Sequence, residues 1–261
     1  MPLSGLTQRF VSCTFNRPLD RGITSTGSGC QGMFVDMCQF LSNEQSLAVV
    51  SRTTIAMNVQ ANDVKLRNNR VVRFAHFAVM NGTGHLIHAN HFFQGDSEVA
   101  GVRRAGLIFT QTNVSTVVTG NYIDNCFIEW GNEHDQTPEF NTEFSFGGLN
   151  IVGNVFIASN TSSAFRWIVI KPYGPGHFLN GLSITGNSFR VFNAVVDRVE
   201  MQDTSIATLD FTRSRNVRVE GNSFNQVTQP IMNPVIVAHT QATAADTWNV
   251  SAEGFIPFGG R

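Results

Sequence analysis

Short stretches in which apolar and polar residues alternate recur along this chain, and most end in the same four residues. The pattern is apolar-x-apolar-x-Gly-Asn-x-Phe. It reads LNIVGNVF at 149–156, LSITGNSF at 182–189 and VRVEGNSF at 217–224. TVVTGNYI at 116–123 varies it slightly, and HLIHANHF at 85–92 and VKLRNNRV at 64–71 lose the glycine. QRFVSCTF at 8–15 and MFVDMCQF at 33–40 carry Cys where the others carry Asn. Alternation with a period of two predicts short strands with one face inward. The 3,4 spacing of an amphipathic helix is absent.

Aligned on the Asn/Cys position, the copies form a column of Cys13, Cys38, Asn69, Asn90, Asn121, Asn154, Asn187 and Asn222. Three residues earlier stand Phe10, Val35, Leu66, Ile87, Val118, Ile151, Ile184 and Val219. Two residues later stand Phe15, Phe40, Val71, Phe92, Ile123, Phe156, Phe189 and Phe224. Both flanking columns are apolar throughout. The Asn spacings are 25, 31, 21, 31, 33, 33 and 35 residues. Ankyrin and TPR repeats need helices, and a leucine-rich repeat keeps about 20–29 residues. A constant short strand with loops of variable length suits a parallel β-helix instead. We expect an all-β, right-handed parallel β-helix, a solenoid of about eight coils, over residues 1–230. Residues 231–261 form a C-terminal extension for association or capping.

The same alignment makes two further expectations. Gly-Asn supplies a tight turn, since both residue types tolerate left-handed backbone angles. An inward Asn in each coil hydrogen-bonds to its copies above and below, as stacked amides do in fibrils. Composition agrees: 22 Phe and 23 Gly stand against only two lysines, Lys65 and Lys171, and 14% of residues are charged. A formal net charge of −1 lacks the basic excess of a nucleic-acid binder. No apolar run approaches the roughly 18 residues of a membrane span, and residues 1–25 lack the order of a signal peptide. Cys13, Cys30, Cys38 and Cys126 form no CxxC pair and read as free thiols.

The Gly-Asn-x-Phe ladder over residues 8–230 resembles the pectate-lyase superfamily of right-handed β-helices: polysaccharide lyases, family-28-type hydrolases and phage tailspikes. The resemblance implies an extended polysaccharide as partner, an extracellular, cell-surface or virion setting and, through the tailspikes, a trimer. The capping helix and Asp-Gly-x-x-Asp-Asp opening common in such proteins are not visible. The first coil starts within ten residues of Met1, so we expect a longer protein or a partner that covers this end. Trp248, Phe255 and Phe258 follow the last repeat as exposed aromatics for a partner surface. The family-28 signatures do not transfer. There is no Asp-Asp, Gly84-His85-Leu86 and Gly176-His177-Phe178 match only part of Gly-His-Gly, and Arg166 and Lys171 are too far apart for Arg-x-Lys.

In solenoids chemistry sits on loops and on the outward face of one sheet. Long insertions run from Trp130 to Gly148, Lys171 to Gly181 and Arg198 to Asn216, and stacked on one edge they would wall a groove. In FIEWGNEHDQTPEF, 127–140, inward Ile128 and Trp130 turn Glu129 outward, with Glu133, His134 and Asp135 following. A glycosidic bond needs two carboxyl groups for hydrolysis. Elimination on a uronate needs a base and a cation against the sugar carboxylate. One coil later RWIVIK, 166–171, sets Lys171 outward. We therefore take Glu129, Glu133, His134, Asp135 and Lys171 as candidate catalytic residues. Asp96, Arg103, Arg104, Tyr122, Trp130, Arg166 and His177 are candidate substrate contacts. Arg70, His91 and Tyr122 share an outward column suited to sugar stacking. Solvated turns and ion pairs between coils are the plainer readings of these charges.

No cofactor is indicated; calcium is compatible but unsupported. His85, His88 and His91 have the spacing of a helical rather than a strand metal site. GSGCQG at 27–32 matches Gly-x-Gly-x-x-Gly without the following helix of a dinucleotide site. Asn113-Val-Ser115 and Asn160-Thr-Ser162 are glycosylation acceptors only in a secretory context. Two functions follow: a polysaccharide-cleaving enzyme, by β-elimination or hydrolysis, or a non-catalytic fibre or adhesin module that binds glycan or only holds distance.

Overall fold

The computed structural model describes residues 2–3, 7–26, 30–42, 54–94, 103–139, 145–252 and 254–259. They form a right-handed parallel β-helix. Each coil contributes one strand in turn to three parallel eight-stranded sheets. We call them the first, second and third sheets, in the order the chain visits them. A small extra pair, Ser145–Gly147 with Phe178–Asn180, forms between loops.

Both apolar columns exist as aligned. In the second sheet Phe10, Val35, Leu66, Ile87, Val118, Ile151, Ile184 and Val219 are successive cross-strand partners. In the third sheet Phe15, Phe40, Val71, Phe92, Ile123, Phe156, Phe189 and Phe224 pair likewise. The rings of Phe156 and Phe189 stack with centroids 4.8 Å apart, the spacing of paired strands, and Phe189 and Phe224 at 5.7 Å. Phe156 and Phe189 are fully buried. Phe224, in the last coil, is only partly buried, because no further coil stacks on it.

The amide ladder lies between these columns. Asn121 Nδ2 donates to Asn154 Oδ1 at 2.9 Å, and Asn154 and Asn187 repeat the contact at 3.0 Å. The same acceptor oxygen takes the backbone N–H of the preceding coil's Asn, as Asn121 N to Asn154 Oδ1 at 3.0 Å. Each Nδ2 also donates backward, as Asn154 to the Val118 carbonyl at 2.9 Å. Every interior amide therefore joins three coils. Cys38 N–H enters the ladder through Asn69 Oδ1 at 2.9 Å, and Cys13 N–H meets Cys38 Sγ at 3.4 Å.

The backbone angles decide which residue of the Gly-Asn turn is left-handed. The left-handed residue is the one before Asn, and the Asn itself is not left-handed. Gly120, Gly153, Gly186 and Gly221 have φ of 63 to 65°, and Ser12, Met37, Asn68 and Ala89 hold the same place at 53 or 54°. Glycine is free of strain there, and the other residues are not. A second glycine matters through contact. At Gly106 the first sheet bulges between Ala105 and Leu107, and a Cβ would meet Cys126 Sγ at 2.6 Å.

At the C-terminal end Asn233 and the stretch 254–258 pack on the last coils. Asn233 pairs antiparallel with Val219, and Arg198 donates to the carbonyls of Gly254 at 2.9 Å and Ile256 at 2.8 Å. Glu200 follows Ile128 and Ile168 in an inward column. Burial raises its pKa against the Arg198 guanidinium, and it accepts the Phe258 N–H at 3.0 Å. Phe258 is thus buried under this cap rather than exposed for a partner, while Trp248 and Phe255 do remain exposed.

Two stability outcomes follow from this geometry. Asn154→Leu should lower stability by about 1–3 kcal/mol, because it leaves the Asn121 N–H and the Val118 carbonyl without partners. An unchanged urea midpoint would show that the ladder contributes nothing. Ala89→Gly should raise the midpoint. Relief of about 1–2 kcal/mol of left-handed strain outweighs the added freedom of the unfolded chain, roughly 0.4–1 kcal/mol.

Candidate functional site

The three long insertions all leave the first sheet toward the second, and so stack along one edge. The outer face of the first sheet is therefore flanked along this edge.

On this face Glu129 stands in a row between Ile108 and Val169. It points away from the core, as the alternation predicts, yet is only 8% exposed. The reason is the loop that follows. Asn132 Nδ2 donates to the Thr110 carbonyl at 2.9 Å, and its Oδ1 accepts the Glu139 N–H. Asp135 accepts the Thr137 N–H at 2.9 Å in a local turn. Knitted in this way, the loop folds back over the sheet and returns Glu133 and His134 to Glu129. His134 Nε2 lies 3.2 Å from Glu129 Oε1 and 3.3 Å from Glu133 Oε1.

Lys171 completes the cluster from the next coil. Its Nζ donates to Glu133 Oε2 at 2.6 Å and lies 3.8 Å from Asp203 Oδ2. Burial works against both cations, but the carboxylates outweigh it. Glu129 and Glu133 hold His134 above the ordinary histidine value, and Glu133, Glu129 and Asp203 hold Lys171 above that of lysine. His76 stacks against His134 with ring centroids 5.1 Å apart. Its pKa is depressed to about 4, chiefly by burial, and it is neutral.

The other candidates divide by surroundings. Asp135 sits in the same loop but faces the earlier coils. Its Oδ1 accepts from Gln60 at 3.1 Å, and its Oδ2 accepts from Asn81 at 2.6 Å and Thr110 at 2.5 Å. That is the geometry of an anchor. Trp130 and His177 are corrected as substrate contacts, since both are 0% exposed. Trp130 packs inward with Nε1 on the Gln111 carbonyl at 2.9 Å, and His177 Nδ1 accepts the Tyr173 N–H at 3.2 Å.

Arg166 pairs with Asp197 at 3.6 Å and caps the Ser163 carbonyl, away from the cluster. Arg103 ties Asn125 and the Ser159 carbonyl at the corner between the third and first sheets. Arg104 begins the neighbouring strand beside Cys126. Tyr122 is exposed on the third sheet with His91 at 4.6 Å, in register with Arg70 as expected. It belongs to a different face from Glu129. Asp96 lies outside the described residues.

Asp203 is the member that sequence reasoning missed. Its strand, Glu200–Gln202, pairs with Ile168–Ile170, which puts Asp203 beside Lys171. Extending that alignment by one residue would have found it, but no Gly-Asn motif marks the strand. The loops after Lys171 and Asp203 enclose a cleft of about 550 Å³, lined by Tyr173–Gly176 and Ile206–Asp210. Among the described residues no helix is long and apolar enough to cross a membrane.

Asp135→Ala should loosen the loop at three coils at once. We expect a loss of about 1–3 kcal/mol and faster amide exchange through 131–139. Unchanged exchange there would show that Asp135 does not hold the loop. No family model, curated protein or solved structure matches this chain.

Proposed function

We propose that the protein is a carbohydrate-active β-helix of the pectate-lyase type that binds an extended polysaccharide along the outer face of its first sheet and cleaves it. The observation that carries this reading is the convergence of Glu129, Glu133, His134, Lys171 and Asp203 on one flanked surface. A solenoid face of parallel rows suits an extended chain. The cleft between 173–176 and 206–210 continues the surface beyond Lys171.

Hydrolysis is the chemistry this arrangement favours. It needs one carboxyl group to give a proton to the leaving oxygen and a second to act on the sugar or on water. The near oxygens of Glu129 and Glu133 lie within 4.8 Å of each other, comparable to the roughly 5 Å of retaining enzymes. His134 lies between them, its pKa lowered by burial but raised further by the two carboxylates, and can pass a proton to this pair. Elimination would require Lys171 to meet a uronate carboxylate, and Lys171 is already engaged by Glu133 and Asp203.

The non-catalytic reading, a glycan-binding or spacing module, also has an observation in its favour. The carboxylates of the cluster are largely offset by His134 and Lys171, and Glu129 is nearly covered. Trimeric association through exposed Trp248 and Phe255 would fit either reading.

The experiment is turnover on a panel of acidic and neutral polysaccharides, read as reducing ends and as ultraviolet absorbance of an unsaturated product. Reducing ends without the absorbance mark hydrolysis, and both together mark elimination. Glu133→Gln should lower the rate by roughly 100-fold or more while leaving the melting temperature near wild type. Binding without product on every substrate would leave only the module.

A further inference from the structure

We propose that Glu129, Glu133 and His134 form a binding site for a divalent first-row transition-metal cation of the zinc type. The inference shares its residues with the proposed cleavage site but does not rest on cleavage, since it is read from ligand geometry alone.

Three ligand atoms converge: Glu129 Oε1, Glu133 Oε1 and His134 Nε2, all within 4.8 Å of one another. The imidazole nitrogen stands 3.2 Å from one oxygen and 3.3 Å from the other. Ligands held about 2.0–2.1 Å from zinc at tetrahedral angles stand about 3.3 Å apart. The nitrogen–oxygen separations are thus already those of two edges of a coordination tetrahedron.

A second, independent observation is the state of Glu129. The residue is 8% exposed, and its Oε1, sealed from solvent, faces His134 Nε2 at 3.2 Å without a well-aligned hydrogen bond. A buried carboxylate oxygen is costly unless a cation meets it, and a bound zinc ion would take the place of the His134 proton there.

The surroundings are those of an outer shell. Glu133 turns Oε1 toward the site and gives Oε2 to Lys171 at 2.6 Å, and Lys171 is steered in turn by Asp203. Second contacts of this kind orient ligating carboxylates. The ligands come from a strand and from a loop pinned by Asn132 and Asp135. Little ordering remains to be done on binding. Side-chain exposures of 32% for His134 and 31% for Glu133 leave one side open, so solvent can fill a fourth position. Two carboxylates balance the charge of a divalent ion. The imidazole selects zinc-like cations over calcium, which takes oxygen ligands.

The test uses the untagged full chain, stripped with EDTA, and titration calorimetry with zinc chloride and separately with calcium chloride. We expect one zinc per chain and no calcium binding at the same concentrations. His134→Ala and Glu133→Gln should each weaken zinc by roughly 100-fold or more, and Asp203→Asn, an outer-shell change, by about 10-fold. Cobalt substituted for zinc should show the strong visible absorption of a tetrahedral site, lost in the same two variants. Glu129→Gln disturbs a buried position. If it does not fold, the two loop variants still decide, because both residues are part-exposed. Absence of zinc uptake by wild type overturns the site, as does uptake unchanged in His134→Ala and Glu133→Gln. Zinc uptake without turnover on any polysaccharide would keep the site and remove the cleavage reading. Turnover in a protein that takes up no zinc would do the reverse.

Discussion

The structure depends on one buried hydrogen-bonded column. A side-chain amide inside an apolar core costs more than it returns unless all its groups are satisfied. Here each interior Asn meets that condition only by contacting the coil above and the coil below. A coil that slipped by one residue would set an amide against the Phe or Val/Ile columns, and the polar cost would return. The ladder therefore sets the register of every strand. The stacked rings of Phe156, Phe189 and Phe224 supply burial on top of it.

That register makes a site possible. Strands held side by side by the ladder bring Glu129 in line with Val169, and Lys171 and Asp203 two positions along the same face. The turns on one edge of the first sheet are free to lengthen, since loop closure grows slowly more costly with length. One such loop bends back over the sheet because Asn132 and Asp135 find partners in earlier coils. The result is a carboxylate between two apolar neighbours under a polar loop, an environment that an isolated strand could not create.

Electrostatics in the cluster is a local balance. Burial disfavours charge on His134 and Lys171, and the three carboxylates more than restore it. A cluster in which an excess carboxylate charge gathers around one imidazole is suited to hold a proton or a metal ion. The same atoms serve both, so the identity of the occupant decides whether the site acts through proton transfer or through a bound cation.

The periodic part of this structure was legible in the chain. Coil number, the two apolar columns, the inward Asn and the outward direction of Glu129 and Lys171 all came from alternation and repeat alignment. These features are enforced again in each coil by the same local geometry, so the signal accumulates. Which residue of the Gly-Asn pair is left-handed stayed open in the sequence, because both share the same tolerance and only backbone angles separate them. Trp130 and His177 are candidate substrate contacts in the sequence, beside two of the long insertions, and packing buries both. The arrival of Asp203 beside Lys171 follows from strand register, but no Gly-Asn motif marks its strand. The role of Asp135, which reaches Gln60 and Asn81 many residues away, leaves no periodic trace. It arises from how a unique loop folds over a repeating surface, and such contacts occur once, between residues whose separation in sequence carries no information about their meeting.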